Sequence, residues 1–237
     1  MSVREMGGRQ VSSSNPFDRL AGHYDCMSLG ISGTAIAQWR DRAADMLLVP
    51  EGGAVLDVGC GTGVGTIRLA ERAGVTGRVV GLDPSEAMLT EARRRRLSPG
   101  AAPVAWTLGQ GERLPFADKT FDRVIAQFTL RHMSDWRQGL SEMARVTADD
   151  GRLVVVDLVR PVSVAGRIAL RAMQLAVAPL VLPQWRPYRS LVDTLPEGPA
   201  ARDLVEHLGP LGWRTAGERR WIGDLVTALV WTGPAAA

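Results

Sequence analysis

The chain predicts an α/β fold built on a mostly parallel seven-stranded sheet with an antiparallel edge. Three observations carry that expectation. Short apolar runs alternate with helical patterns over short connections between residues 54 and 158. One of those runs, Val55-Leu56-Asp57-Val58, breaks into Gly59, Gly61 and Gly63 directly before a helical pattern. The last quarter then offers a helix and two neighbouring strand-like runs, which suit antiparallel pairing.

Taken in order, residues 1–15 are polar, carry Arg4 and Arg9 and lack the apolar core of a signal peptide, so they read as a flexible tail. Residues 16–237 read as a single domain. Pro16 to Leu48 is expected to be a helical lid, with Ala35, Trp39, Ala43 and Met46 at helical spacing and a stop before Pro50. Strand Ala54 to Val58, helix Val64 to Ala73, strand Arg78 to Leu82, helix Ser85 to Leu97, strand Val104 to Leu108 and strand Arg123 to Gln127 follow. Helix Asp135 to Val146, capped by Ser134, shows Trp136, Leu140 and Met143 on one face and leads into strand Arg152 to Leu158. Residues 159–196 form an apolar insert expected to cover a substrate, with Ala169, Met173, Leu175, Val177, Leu180 and Val181 as its apolar surface. Helix Ala200 to Leu211 and the runs Trp213 to Trp221 and Leu225 to Trp231 complete the chain, with the tryptophans as core or edge packing.

With 46% hydrophobic and 22% charged residues in 237, the composition is that of a globular protein able to bury a full core. The net charge of +3 comes from arginines scattered along the chain, since Lys119 is the only lysine. That scatter argues against a nucleic-acid partner, including RNA as a substrate. The one dense run, Arg93-Arg94-Arg95-Arg96, falls at a helix end, where cations complement the dipole. Cys26 and Cys60 make no disulfide framework, which suits a reducing cytoplasm. No metal is expected. The most apolar stretch, Val164 to Leu182, is interrupted by Arg167, Arg171, Gln174 and Pro179, too often for a membrane span.

The glycine turn suggests nucleotide chemistry, because residues without Cβ let a ligand approach exposed N–H groups. A second apolar run ends in Asp83, about 20 residues beyond the glycines, where an acid accepts hydrogen bonds from ribose hydroxyls. The dinucleotide fingerprint fails, since Val64 or Thr66 stands where its third glycine belongs, and the phosphate-binding Gly-x-x-x-x-Gly-Lys loop is absent. Asp57 to Gly63, an Asp-x-Gly-x-Gly-x-Gly sequence with a downstream acid, instead resembles the S-adenosylmethionine site of Rossmann-like class I methyltransferases. The resemblance implies Asp57 near the amino-acid end of the cofactor. Gly59, Cys60, Gly61, Thr62 and Gly63 would line the turn, with Asp83 at the ribose, Pro84 and Met88 also binding the cofactor, and Gln110, Gly111 and Glu112 in the stretch over the adenine. Gln127 and the segment after it, at the carboxyl end of the fourth strand, would border the reacting methyl group.

Longer motifs narrow the resemblance. Asn15-Pro16-Phe17-Asp18-Arg19-Leu20-Ala21-Gly22-His23-Tyr24-Asp25, Ser28 to Gly33, Trp39-Arg40, Leu130-Arg131-His132-Met133-Ser134-Asp135 and Tyr188-Arg189-Ser190-Leu191 through Pro196 are similar to the C-methyltransferases of ubiquinone and menaquinone biosynthesis. This implies an aromatic or quinol-like acceptor, with Tyr24 closing over the cofactor. Arg131 would stabilise a phenolate and His132 would remove its proton. His132 alternatively holds the following helix, and Arg131 pairs with Asp135. The family usually has Asn where His132 stands, Asp where Gln110 stands, and Ala-Gly or Gly-Gly where Gly59-Cys60 stand. O-methylation, or a cyclase that retains the cofactor, is the alternative reading. Transient contact with a membrane surface and a homodimer are compatible with it.

Overall fold

The computed structural model describes residues 17–18, 21–25, 34–177 and 198–234. Its strands are β1 (Ala54–Val58), β2 (Arg78–Asp83), β3 (Val104–Leu108), β4 (Phe121–Gln127), β5 (Thr147–Leu158), β6 (Arg214–Trp221) and β7 (Val226–Thr232). The helices are α1 (Ala35–Leu47), α2 (Val64–Ala73), α3 (Glu86–Arg93), α4 (Trp136–Val146), α5 (Val164–Val177) and α6 (Ala201–Leu208). The seven strands form one sheet in the order β3-β2-β1-β4-β5-β7-β6. β1 to β5 run parallel, and β7 pairs antiparallel with both β5 and β6. The expected class and edge are therefore present.

All five residues of β1 are buried because helices cover both faces of the sheet. Leu56, Val58, Val124, Ala126, Leu153 and Val155 turn to one face, against Leu140 and Met143 of α4 and Leu204 and Leu208 of α6. Val55, Ile125, Val154 and Val156 turn to the other, against Ala43, Ala44 and Leu47 of α1 and Leu69, Ala70 and Ala73 of α2. The period-two alternation of strand side chains makes this split. It also changes the role of α1, which is a structural layer of the sheet as well as a neighbour of the site.

Several boundaries shift. The third helical pattern stops at Arg93 rather than Leu97, after starting from the Ser85 cap, whose Oγ accepts from the Met88 N–H at 3.1 Å. Helix α4 is capped by Asp135, not Ser134: Asp135 Oδ1 accepts from the N–H groups of Arg137 and Gln138. A carboxylate also suits the positive end of the helix dipole. Ser134 instead donates through N and Oγ to Glu112 Oε1, at 2.8 and 3.0 Å. Strand β5 starts at Thr147, through an irregular pairing with β4 between Phe121 and Arg123. α6 ends at Leu208, and Gly209–Leu211, with Pro210 inside, form a separate 3-10 turn.

Strand order reverses between β2-β1 and β4-β5, so the loops after β1 and β4 part at their carboxyl ends. That crevice is where an open α/β sheet takes a ligand.

Candidate functional site

The turn after β1 carries three positive φ angles, at Gly59 (70°), Gly61 (55°) and Gly63 (80°). At Gly59 a Cβ would lie 2.2 Å from the Thr129 side chain, so the close approach of the β4 loop enforces glycine as strictly as the dihedral does. Gly59 and Cys60 N–H both donate to the Leu82 carbonyl, at 2.7 and 3.0 Å, which pins the turn to β2. Gly61 N–H donates to Asp83 Oδ2 at 2.8 Å, and Ser85 N–H donates to Asp83 Oδ1 at 2.9 Å. Two backbone donors thus orient one carboxylate at the cleft. Burial raises the Asp83 pKa above the ordinary carboxylate value, opposed by these two donors and reinforced by the charge of Asp18.

Beneath the turn lies Asp57, only 1% exposed. Thr66 Oγ1 donates to its Oδ2 at 2.7 Å, and Gln127 Nε2 to its Oδ1 at 3.4 Å. Burial pushes its pKa up to about 6 despite these bonds and the attraction of Arg40. Gln127 spends its amide nitrogen on Asp57, and its Oε1 is buried with no hydrogen-bond partner among the described residues. An orphaned acceptor beside a buried carboxylate is a place for a ligand cation or N–H donor. The Cys60 thiol is pushed up by burial and by Asp57 and Asp83, so it remains protonated.

The cleft above opens partly to solvent. Its walls include Phe17, Tyr24, Arg40, Phe128, Thr129 and His132. Asp18 and Asp25 are stapled over the turns: Ser85 Oγ donates to Asp18 Oδ1 at 2.5 Å, and Thr62 Oγ1 to Asp25 Oδ1 at 2.7 Å. Arg95 binds both Asp25 and the Thr62 carbonyl. The Phe17 ring meets His132 edge to face at 4.9 Å between centroids. Phe128 is held at a φ of 59°, unusual for an aromatic residue, with the guanidiniums of Arg40 and Arg131 at 5.7 and 5.6 Å from its ring centroid.

Arg131 pairs with Asp157 rather than Asp135. The side chains are 11% and 3% exposed, so the pair is buried in the base of the 130s turn. The Asp157 carboxylate also accepts from the Arg131 N–H. Asp135 is occupied as the α4 cap, which explains the change of partner. His132 opens onto the cleft and is exposed, and partial desolvation of its ring together with the charge of Arg131 lowers its pKa below the ordinary imidazole value. The ring is neutral at physiological pH and does not cap α4.

Of the residues expected at the cofactor, Tyr24, Gly59, Cys60, Gly61, Thr62, Asp83, Pro84, Met88 and Gln127 line the cleft, as does His132. Asp57 and Gly63 lie just beneath, Gly63 as the residue before α2. Gln110, Gly111, Glu112 and Arg131 are outside the lining: Glu112 is engaged by Ser134 and Gly111 packs against Met133. Phe128 and Thr129, in the segment expected to follow Gln127 at the site, also line the cleft; sequence reasoning did not single out Phe17, Arg40 and Val64 as lining, nor Asp18, Asp25 and Arg95 as staples. The shared spacing with the turn that would have found them exists only in three dimensions. The Tyr188 to Pro196 motif, Trp185, Leu180, Val181, Asn15, Pro16, Cys26 and Ser28 to Gly33 lie outside the described residues.

The same architecture occurs in the crystal structure of an S-adenosylmethionine-dependent methyltransferase from Aquifex aeolicus, with a TM-score of 0.61 over 92% of this chain and 98% of that one. At 19% identity the likeness is one of fold. With the acid-bounded glycine turn at its switch point, the molecule is a class I, S-adenosylmethionine-dependent methyltransferase. The ubiE/COQ5 methyltransferase family model matches residues 6–227, and the chain belongs to that family. It is 31% identical to the ubiquinone/menaquinone biosynthesis C-methyltransferase UbiE of Geobacter sulfurreducens, over 92% of this chain and 86% of that enzyme. It is 39% identical to the demethylmenaquinone methyltransferase of Bacillus licheniformis over a stretch covering 61% of this chain and 62% of the relative, less than two thirds of that enzyme's length.

Proposed function

We propose that the enzyme methylates a ring carbon of a small, hydrophobic, quinol-like aromatic acceptor. The observation that carries this reading is an aromatic-walled cleft, Phe17, Tyr24 and Phe128, opening beside the turn that would hold the donor. The names of the two relatives support the same acceptor class.

The residues present fit the cofactor. Asp83, already aligned by two backbone donors, would take the ribose hydroxyls, and the open space over Gly61 leaves room for the nucleoside. Asp57 and the unpaired Gln127 Oε1 would hold the ammonium group of its methionine part. Tyr24 would close the site. When bound, S-adenosylmethionine supplies an electrophilic methyl group on sulfur. The protein's share is to hold the acceptor in line and exclude water. His132, neutral and open to the cleft, is suited to accept a hydrogen bond from an acceptor hydroxyl. Arg131, turned to Asp157, sets the shape of the turn that presents it.

Incubation with methyl-labelled S-adenosylmethionine and a reduced naphthoquinol tests the reading by mass spectrometry of the product. Label on a ring carbon is expected. Label on oxygen would establish the O-methyltransferase alternative, and a rearranged product without label would establish the cyclase. Membrane-surface contact is part of the proposal: Val164, Ile168 and Leu175 of α5 are 64%, 65% and 74% exposed beside Arg167 and Arg171, and the helix has no acid. Absence of co-sedimentation with phosphatidylglycerol vesicles at low salt would remove that part. Among the described residues no helix is long and apolar enough to cross a membrane.

A further inference from the structure

Three basic side chains stand around the acceptor side of the cleft, and two of them offer no free positive charge. The Arg131 guanidinium is neutralised by buried Asp157. His132 carries no charge near neutral pH. Arg40, half-buried on α1 and lining the cleft, makes no hydrogen bond and no ion pair with any described residue; its guanidinium lies over the Phe128 ring, 5.7 Å from the centroid. The acids on its own helix are engaged elsewhere, Asp41 with Arg68 and Asp45 with Arg72. Those in the floor are engaged too, Asp57 by Thr66 and Gln127, and Asp83 by Gly61 and Ser85. Asp57 acts on Arg40 only through space.

The helix holds Arg40 there firmly. Trp39 packs on Phe128 and Trp221, at 6.3 and 6.4 Å between centroids, while Ala43, Ala44 and Leu47 bury the next turns in the core. A guanidinium over an aromatic face, with no acid paired to it among the described residues, is a site for a planar anion, because it offers both charge and a stacking surface.

We propose that Arg40 is the counter-charge for the acceptor, holding it as an aromatic oxyanion against the Phe128 face. This inference rests on the acceptor class proposed above. On binding, the acceptor O–H bond breaks, the electron pair stays on oxygen, and the proton leaves to water. The ring carbon is thereby made nucleophilic without a strongly basic side chain. Arg131 and His132 then shape and hydrogen-bond the acceptor, and the charge falls to a residue from the amino-terminal side.

The test uses the full chain loaded with S-adenosylhomocysteine and 4-nitro-1-naphthol as probe, whose anion is seen by absorbance. Binding to wild type is expected to lower the probe's pKa by about one unit. Arg40→Gln abolishes the shift and Arg40→Lys restores most of it. A shift that persists in Arg40→Gln, with the variant folded by circular dichroism, overturns the proposal. So does a wild type that binds the probe with no shift, or does not bind it at all. Calorimetry separates the other anion available, the cofactor carboxylate. If Arg40→Gln weakens S-adenosylhomocysteine tenfold or more and leaves 5′-methylthioadenosine unchanged, Arg40 belongs to the cofactor and the proposal fails. Failure of the acceptor class is a different result, a wild type that binds S-adenosylhomocysteine yet methylates no quinol.

Discussion

The two sides of the cleft, the one proposed for the methyl donor and the one proposed for the acceptor, are built by different means. On the donor side, contacts run mainly between backbone N–H groups and carboxylates at strand ends: Gly61 and Ser85 to Asp83, with the turn tied to Leu82. On the acceptor side, side chains arrive from three distant segments, Phe17 and Tyr24, Arg40, and Phe128 to His132, and meet through rings and guanidiniums. The donor side is a property of strand register and glycine. The acceptor side is a property of residue identity, so it is where related chains can change substrate without changing fold.

The Arg131–Asp157 pair is the sharpest test of that contrast, since it sits under the acceptor side and is nearly closed to solvent. Arg131→Ala leaves Asp157 charged and buried, and is expected to cost about 3 kcal/mol or more in urea unfolding. A loss below about 1 kcal/mol would mean the pair is not integral to the turn, freeing Arg131 to act on the acceptor directly.

On the donor side, Asp83→Ala removes the acceptor of two backbone donors as well as the proposed ribose contact. S-adenosylhomocysteine affinity is expected to fall about 100-fold by calorimetry, near 3 kcal/mol. An unchanged affinity would show that the backbone alone holds the nucleoside.

The same contrast explains what could be read from the chain before its structure. All seven strands, the antiparallel edge and the donor turn were readable, because alternation and glycine spacing are local signals. The α4 cap was misplaced by one residue because Ser134 and Asp135 are both good caps, and Glu112, far away in sequence, decides between them by engaging Ser134. Arg131 was matched with a neighbour four residues on when its partner lies on β5, whose pairing with β4 brings Asp157 alongside. Arg40 stands in the Trp39-Arg40 motif, but the role proposed for it was not legible there, since it depends on every other charge near it being paired.

Asp57 supplies a pH test that separates the two sides. Its pKa of about 6 in the folded protein exceeds the ordinary 3.8, so the folded state takes up a proton that the unfolded chain does not between those values. Its contribution to stability therefore rises as pH falls through 6 and is lost as pH rises. Cofactor affinity should move the other way, because only the ionised form attracts an ammonium group. From pH 7 to 5 the affinity for S-adenosylhomocysteine is expected to drop about tenfold. Asp57→Asn flattens that profile, and Arg40→Gln leaves its direction unchanged. A flat wild-type profile would remove Asp57 from the ammonium contact.

A smaller effect is expected where the two sides are joined. Arg95 reaches from the end of α3 to both the Thr62 carbonyl of the donor turn and Asp25, next to Tyr24 on the opposite wall. The arginine run that reads as a solvated helix end thus contains one residue that ties the amino-terminal segment to the cofactor turn. The side chains of Arg95 and Asp25 are 31% and 46% exposed, so water and salt screen the attraction and its worth is below about 1 kcal/mol. Arg95→Gln should then weaken S-adenosylhomocysteine about three- to fivefold at low ionic strength, with little change in thermal stability. The difference from wild type should shrink towards one as salt approaches about 1 M, where the screening length falls to about 3 Å. A deficit that stays constant with salt would assign the effect to the Thr62 carbonyl bond and the shape of the turn. No deficit at any salt would mean that Asp25 and Thr62 hold the segment without Arg95, through the neutral-to-charged bond between them.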